Sequence, residues 1–360
     1  MSALREMIPE LLRATEIPPW YRNVLDEYSR QDTQADEVER TMRHSREYIE
    51  VLSKVCALDV SHLANAQIIL LNSPLTDAQA LRFKGEHYIF LHRGLLSIVS
   101  FAAEAIVLMT VCGQIHSRIT AKDLMEHGLG RWPSVDAVAG LSSALTYAYF
   151  MQPVKLPVLY TRDIGPRELS FVVQLTCSAE LFAVLHEAAH IALGHLSGSP
   201  QASIVRNEFL LPETSSQEKD QELEADAHAF AALDRAGRSK MARGAFLYLR
   251  ILGTTEFLTQ RAPEGHHPMA INRVHAILHR FGSDLEEDAR KMGEMTLDFL
   301  QKDYDEFTRE VVDPKTGRIW KPHDKVRRLA FDAPPERASW LLYKIGLFAR
   351  SFAGKHTVQT

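Results

Sequence analysis

The spacing of apolar positions changes several times along this chain, and each change predicts a different element. Between Asp32 and Leu58, apolar Val38, Met42, Ile49, Leu52 and Val55 fall near helical spacing, which predicts a packing helix with one solvated face. From Ala66 the runs become short and β-prone: AQIILLN, ALRFKG and HYIFLHRG are separated by turn residues. They predict a small sheet or hairpin, followed by a helix starting near Gly94. Residues 117–170 are irregular and carry Gly128, Gly130, Pro133, Pro153, Pro157 and Pro166, so they read as a long connection that caps or walls a site. Leu169 to Leu196 is apolar on most sides and predicts a central helix, with Gly194 and Gly198 as stop signals. After the polar run PETSSQEKDQ come helices over ELEADAHAFAALDRA, over Arg238–Thr259 and, past the turn-like APEGHHP, over MAINRVHAILHRF. Amphipathic helices interrupted by DPKTGR follow from Asp284. The fold class expected is α+β, mostly helical, with a small sheet. The expected division is a helical N-terminal region over 1–60, broken at Pro18-Pro19, a central domain over 61–283 with an insertion at 117–170, and a C-terminal helical region over 284–360.

Leu95 to Ile115 is long and apolar enough to raise the question of a membrane span. Glu104 at its centre is costly in hydrocarbon, and Ser97, Ser100 and Gln114 dilute it further, so a buried core helix is expected and no membrane span. The first twenty residues carry acids and lack an apolar core, so no secretory signal is expected. A net charge of -5 gives no electrostatic reason to expect nucleic acid as a partner. Cys56, Cys112 and Cys177 are odd in number and widely spaced, which implies no disulfide framework and no CxxC metal knuckle; a reducing, cytoplasmic setting fits.

The central helix carries chemistry. LFAVLHEAAHIALGHL contains His186-Glu187-Ala188-Ala189-His190, an HExxH sequence. Each residue turns a helix by about 100°, so the two imidazoles share one face and can reach one Zn²⁺. Glu187 then lies beside the metal, where it can take a proton from water. A catalytic zinc wants three protein ligands and an open fourth position. His195 falls one residue away from the place a later histidine ligand takes in HExxHxxGxxH proteins, and on a continued helix it would point away from His186. A role behind a ligand or at the helix end suits it better. The acidic helix offers Glu222, Glu224 and Asp226. Glu222 shares a face with Ala225, Asp226, Ala229 and Leu233, small or apolar residues that can press on another helix. Glu222 is therefore the preferred third ligand and Glu224 the next candidate; Glu224 reads otherwise as a surface partner of His228. Asp226, one turn on, can hydrogen-bond a ligating imidazole. His267 in the His-Pro turn and Arg273 beyond it are candidates to support the ligands or, with Tyr248, to donate to a developing oxyanion. His275 and His279 read as a solvated face.

Taken together, HEAAHIALGH, ELEAD and HHPMAINRV resemble the gluzincin metallopeptidases of the HtpX and CAAX-prenyl-protease type, whose pattern is HExxH, a later ExxAD glutamate, and a His-Pro turn with a following arginine. HYIFLHRGLLSIV resembles the strand and GLL helix those proteins place ahead of the motif. The resemblance covers about residues 62–282. It implies a zincin-like (minigluzincin) core with His186, His190 and Glu222 as ligands, Glu187 as general base and Asp226 behind a ligand. The chain departs from those peptidases in lacking clear membrane helices, in its long insertion, and in having EKDQ ahead of Glu222 rather than a Ser-Arg pair. HEAAHIALGH equally resembles soluble peptidases of the ImmA/IrrE and Lit phage-exclusion types. The function implied is a zinc-dependent endopeptidase acting on a protein or peptide substrate, of a soluble bacterial regulatory or defence kind. An extended peptide could align along a strand from the Ala80–Leu91 region. Two other classes stay open: a zinc-bound regulatory protein with little turnover that docks a protein partner, and a non-peptidase zinc amidohydrolase.

Overall fold

The computed structural model describes residues 37–61, 63–71, 78–116, 166–198, 216–235, 241–259, 269–308, 311–312 and 319–320. Among these, helix predominates and a three-stranded sheet stands beside it, an α+β arrangement. The elements in chain order are α1 (Glu37–Cys56), β1 (Ala66–Leu71), β2 (Ala78–Phe83), β3 (Glu86–His92), α2 (Arg93–His116), α3 (Pro166–Ala192), α4 (Ser216–Arg235), α5 (Ala242–Thr259), α6 (Ala270–Phe281) and α7 (Glu287–Thr308), then the two-residue strands β4 (Val311–Val312) and β5 (Ile319–Trp320).

The sheet order is β1-β3-β2. Strand β1 runs parallel to β3 with Ile68 opposite Ile89, and β2 runs antiparallel to it with Ala80 opposite Ile89. The β2–β3 hairpin closes on Lys84 and Gly85, both at positive φ (49° and 86°). Two left-handed residues in a two-residue loop match the strand twist, and Gly85 adopts that conformation without a Cβ penalty. Side chains of β3 alternate. Ile89 and Leu91 join the main helical core, while Tyr88 and Phe90 pack on the other face with Val38, Ile69 and Leu71.

The two sheet edges are treated differently. At β1 the helix α1 covers the edge, and Ser45 Oγ accepts the Leu70 N–H at 2.9 Å. At β2 the Ala80 N–H points instead to Glu187 of α3, donating to Oε2 at 2.5 Å. An uncovered edge offers backbone groups to any extended chain.

Helix α3 is the centre of the molecule. It packs against α1, α2, α4 and α5 and touches β2 and β3. Every residue from Cys177 to Ala189 is buried. A helix buried all round needs apolar residues on all sides, and this one has them. It is also long and apolar enough to cross a membrane by length and composition alone, with 67% of that window buried inside the protein. Its contact with α5 depends on Gly244, where a Cβ would stand 2.3 Å from the Ser178 carbonyl carbon. Helix α3 begins at Pro166, three residues before the expected start, since proline suits a first helical turn. It ends ahead of Gly194, which takes a φ of 75°. The chain then forms a short 3-10 turn, His195–Gly198.

Helix α2 spans the Leu95–Ile115 segment, and Leu95, Ile98, Val99, Ala102, Ala103 and Val107 are buried in the main core. In α1 the periodicity picks out Val38 and Leu52 correctly, but Val55 is exposed, and the helix seats its smaller Thr41, Ser45 and Cys56 inward. The C-terminal region is not wholly helical: Val311-Val312 pairs with Ile319-Trp320 across the DPKTGR stretch. Both pairs are β-branched or aromatic and flank turn formers, which favours a ladder. The insertion before Pro166, residues 1–36, His267 and everything past 320 lie outside the described residues.

Candidate metal centre

The three buried carboxyl and imidazole side chains of α3, Glu180, His186 and Glu187, would be expensive without partners. Each has one. Glu180 accepts from the Tyr48 hydroxyl at 3.1 Å. His186 meets Asp226, Nδ1 to Oδ1 at 2.9 Å. Glu187 takes the Ala80 N–H. Each of these three is answered by another element of the fold.

The HExxH spacing puts His186 and His190 on the face that meets α4. Their Nε2 atoms lie 3.2 Å apart. Helix α4 presents Glu222 to both: Oε2 stands 3.2 Å from His186 Nε2, and Oε1 stands 3.2 Å from His190 Nε2. One donor atom from each of the three residues falls within 4.8 Å of the others, close enough for all three to hold one metal ion. Two imidazole nitrogens and a carboxylate form a donor set suited to a borderline divalent cation with an open position. Glu222 reaches this place because its face of α4, with Ala225, Asp226, Ala229 and Leu233, is buried against α3 and its neighbours. Glu224 and His228 lie on the exposed face.

Behind His186 stands a charged clamp. Arg273 of α6 donates from Nε to Asp226 Oδ2 at 2.6 Å and from Nη2 to Oδ1 at 2.7 Å. Its Nη1 lies 3.8 Å from Glu222 Oε2. Bidentate geometry of this kind fixes a carboxylate in plane and in depth. All three nitrogens of Arg273 therefore face carboxylates, those of Asp226 and Glu222. Tyr248 of α5 is buried edge-on against Phe182 at 5.7 Å. His275 and His279 are exposed on α6.

Behind His190 the arrangement is more open. His190 Nδ1 lies 3.0 Å from His195 Nδ1, and His195 Nε2 lies 3.4 Å from Glu224 Oε2. Glu224 thus serves His195, where an in-helix pairing with His228 is the simpler expectation from sequence. The helix break at Gly194 makes the difference, because it turns His195 back toward α4.

The electrostatics follow from burial and these partners. Burial works against the charged form of His186, but hydrogen bonds and charge from Asp226 and Glu222 outweigh it and lift the imidazole to about 9. Burial would raise Asp226, and the Arg273 cation and His186 hold it below the usual carboxylate range instead. Burial raises Glu187 above its ordinary value, opposed by His186 and His190. Glu180, deep in the core, is pushed up to about 8 by burial, only partly offset by Tyr48. Burial and the neighbouring His190 lower His195, with Glu224 acting the other way.

Sequence reasoning brought His186, His190, Glu222, Glu187, Asp226 and Arg273 into consideration, and the fold brings all six to one place. It did not foresee the Ala80 N–H on Glu187. Strand propensity says where a strand is, while register and edge position decide which N–H meets the helix.

Residues 142–316 match the family model described as Peptidase U49, a little under half of the 360 residues. The match takes in α3 to α7 and every side chain of the centre, and it supports a peptidase family for this chain. No curated protein and no solved structure matches it.

Proposed function

We propose that this chain is a zinc-dependent endopeptidase with a zincin-like core over residues 61–283, acting on a protein or peptide substrate in a cytoplasmic setting. The observation that carries the reading is the convergence of His186, His190 and Glu222 within 4.8 Å, on a buried floor, beside the Glu187 carboxyl. The match to the Peptidase U49 model supports the hydrolytic half of the reading, and the donor set supports the metal half. Cys56 and Cys177 are buried thiols outside any disulfide, which suits a reducing compartment.

His186, His190 and Glu222 would hold the ion. Bound there, Zn²⁺ would polarise a scissile carbonyl and acidify water. Glu187 is next to His186 on the same helix, buried, and raised above the ordinary carboxylate range, so it is suited to accept a proton from the attacking water. It then returns that proton to the leaving amine, in the ordinary manner of a general acid–base group. The Ala80 N–H fixes one oxygen of Glu187 and leaves the other to move the proton. Asp226, clamped by Arg273, holds His186 through Nδ1. Among the described residues strand β2 lies at a sheet edge, and its Ala80 already reaches the base. An extended substrate pairing along β2 would pass directly over Glu187.

Glu187→Gln keeps the ligands and removes the base. Zinc content should stay at the wild-type level, while cleavage of unfolded casein or a quenched peptide library falls by about 10²- to 10⁴-fold. Full activity in that variant removes Glu187 from the mechanism. Zinc bound by a wild type that cleaves none of these would favour a binding protein, and turnover of small amides alone would favour an amidohydrolase.

A further inference from the structure

The ligand face of His190 is accounted for by the metal reading. Its opposite side carries a second pair of contacts, to His195 and through it to Glu224. Two ring nitrogens 3.0 Å apart need one proton between them, with one nitrogen donating and the other accepting. A His190 that turns the Nε2 lone pair toward a cation keeps its proton on Nδ1. Nδ1 of His195 must then accept. The His195 proton is left on Nε2, where it faces the Glu224 carboxylate. With both imidazoles neutral and Glu224 a carboxylate, the contacts have one self-consistent proton arrangement, and it leaves the His190 Nε2 lone pair free to bind.

We infer that His195 is a positioning residue that holds His190 in its Nδ1–H tautomer and ring orientation, with Glu224 fixing His195 in turn. This inference rests on the metal reading of the site. Local sequence builds the device. Five further residues of helix would rotate His195 about 140° away from His190. Gly194, at a φ of 75°, ends the helix instead, and the 3-10 turn His195–Gly198 lays the imidazole beside His190 and next to β2. The His195 side chain is 7% exposed and that of Glu224 is 61% exposed, so the first link is sheltered from water and the second is not. His195 therefore carries most of the effect.

The test is zinc affinity of the full chain, measured by competition with a chromophoric chelator, for wild type, His195→Gln, His195→Leu and Glu224→Ala, with far-ultraviolet circular dichroism checking the fold. Glutamine can accept from His190 Nδ1–H through its amide oxygen, and leucine cannot. His195→Leu should lose about 10- to 100-fold in affinity, the usual cost of removing a partner behind a metal ligand. His195→Gln should retain most of it, and Glu224→Ala should lose less than His195→Leu. Wild-type affinity in a folded His195→Leu overturns the inference and leaves the metal reading standing. A His195→Gln loss as deep as that of leucine also overturns it, since simple space filling would then be the role. A wild type that takes up no zinc overturns the metal reading and this inference with it. If His195→Leu does not fold, the exposed Glu224→Ala variant carries the test, and unchanged affinity there removes Glu224.

Discussion

The two histidines of α3 face one centre and are supported in opposite ways. His186 is backed by buried charge: Asp226, itself held by two hydrogen bonds from Arg273. His190 is backed by the His195 imidazole and, beyond it, by a carboxylate at the surface. The first flank is anchored by three helices, α3, α4 and α6. The second depends on one turn after a glycine. A buried ion pair is rigid but fails badly when half of it is removed, whereas a partly exposed chain of hydrogen bonds is weaker and more forgiving. On the proposed reading, the inner flank would couple the metal centre to folding, and the outer flank would tune it.

The largest expected effect comes from cutting the inner flank. Arg273→Leu leaves Asp226 buried without its cation and should destabilise the protein by about 3–5 kcal/mol in urea unfolding, as removal of one partner of a buried pair does. A loss below about 1 kcal/mol would mean that the clamp contributes no more than a surface ion pair, and the contrast between flanks would disappear.

Next in size is a control on the same helix. Glu180 is also a buried carboxyl on α3, but it touches neither flank. Its carboxyl is raised to about 8 in the folded protein against 4.5 as its reference. The folded state thus holds a proton that the unfolded state releases. Glu180 costs nothing below about pH 4.5, and stability falls as pH rises from there through about 8, by up to several kcal/mol. Glu180→Gln should remove that dependence, melting higher than wild type at pH 8 and close to it at pH 5, with zinc affinity unchanged. Parallel melting curves for the two proteins across this range would contradict the assignment. A change in zinc affinity would show that burial of charge anywhere on α3 affects the centre.

A finer cut separates tautomer control from simple anchoring. Asp226→Asn preserves size, and its one amide oxygen can take the Oδ1 place between Arg273 Nη2 and His186 Nδ1, but its NH2 group then faces Arg273 Nε–H and the negative charge behind His186 is lost. Zinc affinity should fall by about 10- to 100-fold with the fold retained. An Asp226→Asn protein that binds zinc as wild type does would reduce Asp226 to a structural role.

Much of this centre is legible in the sequence for a physical reason: helical spacing is local. The four-residue interval sets His186 beside His190, and the small residues Ala225 and Ala229 mark the face of α4 that can press close and carry Glu222 inward. The same reasoning places the strands at AQIILL, AQALRF and EHYIFLH, because alternation and β-branching are local too. What the sequence left open is long-range. Arg273 is a candidate in the sequence, but which carboxylates it meets is decided only where α6 packs against α4. Glu224 reads as a partner of His228 until the break at Gly194 brings His195 across. The Tyr48 hydroxyl on Glu180 joins residues 132 positions apart, and no periodicity reports that.

The central claim is that two imidazoles from α3 and one carboxylate from α4 together bind a divalent ion. Metal content of the purified full-length protein, compared between wild type and Glu222→Gln, tests it most directly. The expected result is about one zinc per chain in the wild type, as three protein ligands and an open position provide, and a clear loss in the variant under the same dialysis. A metal-free wild type, or equal zinc in both proteins, would contradict it.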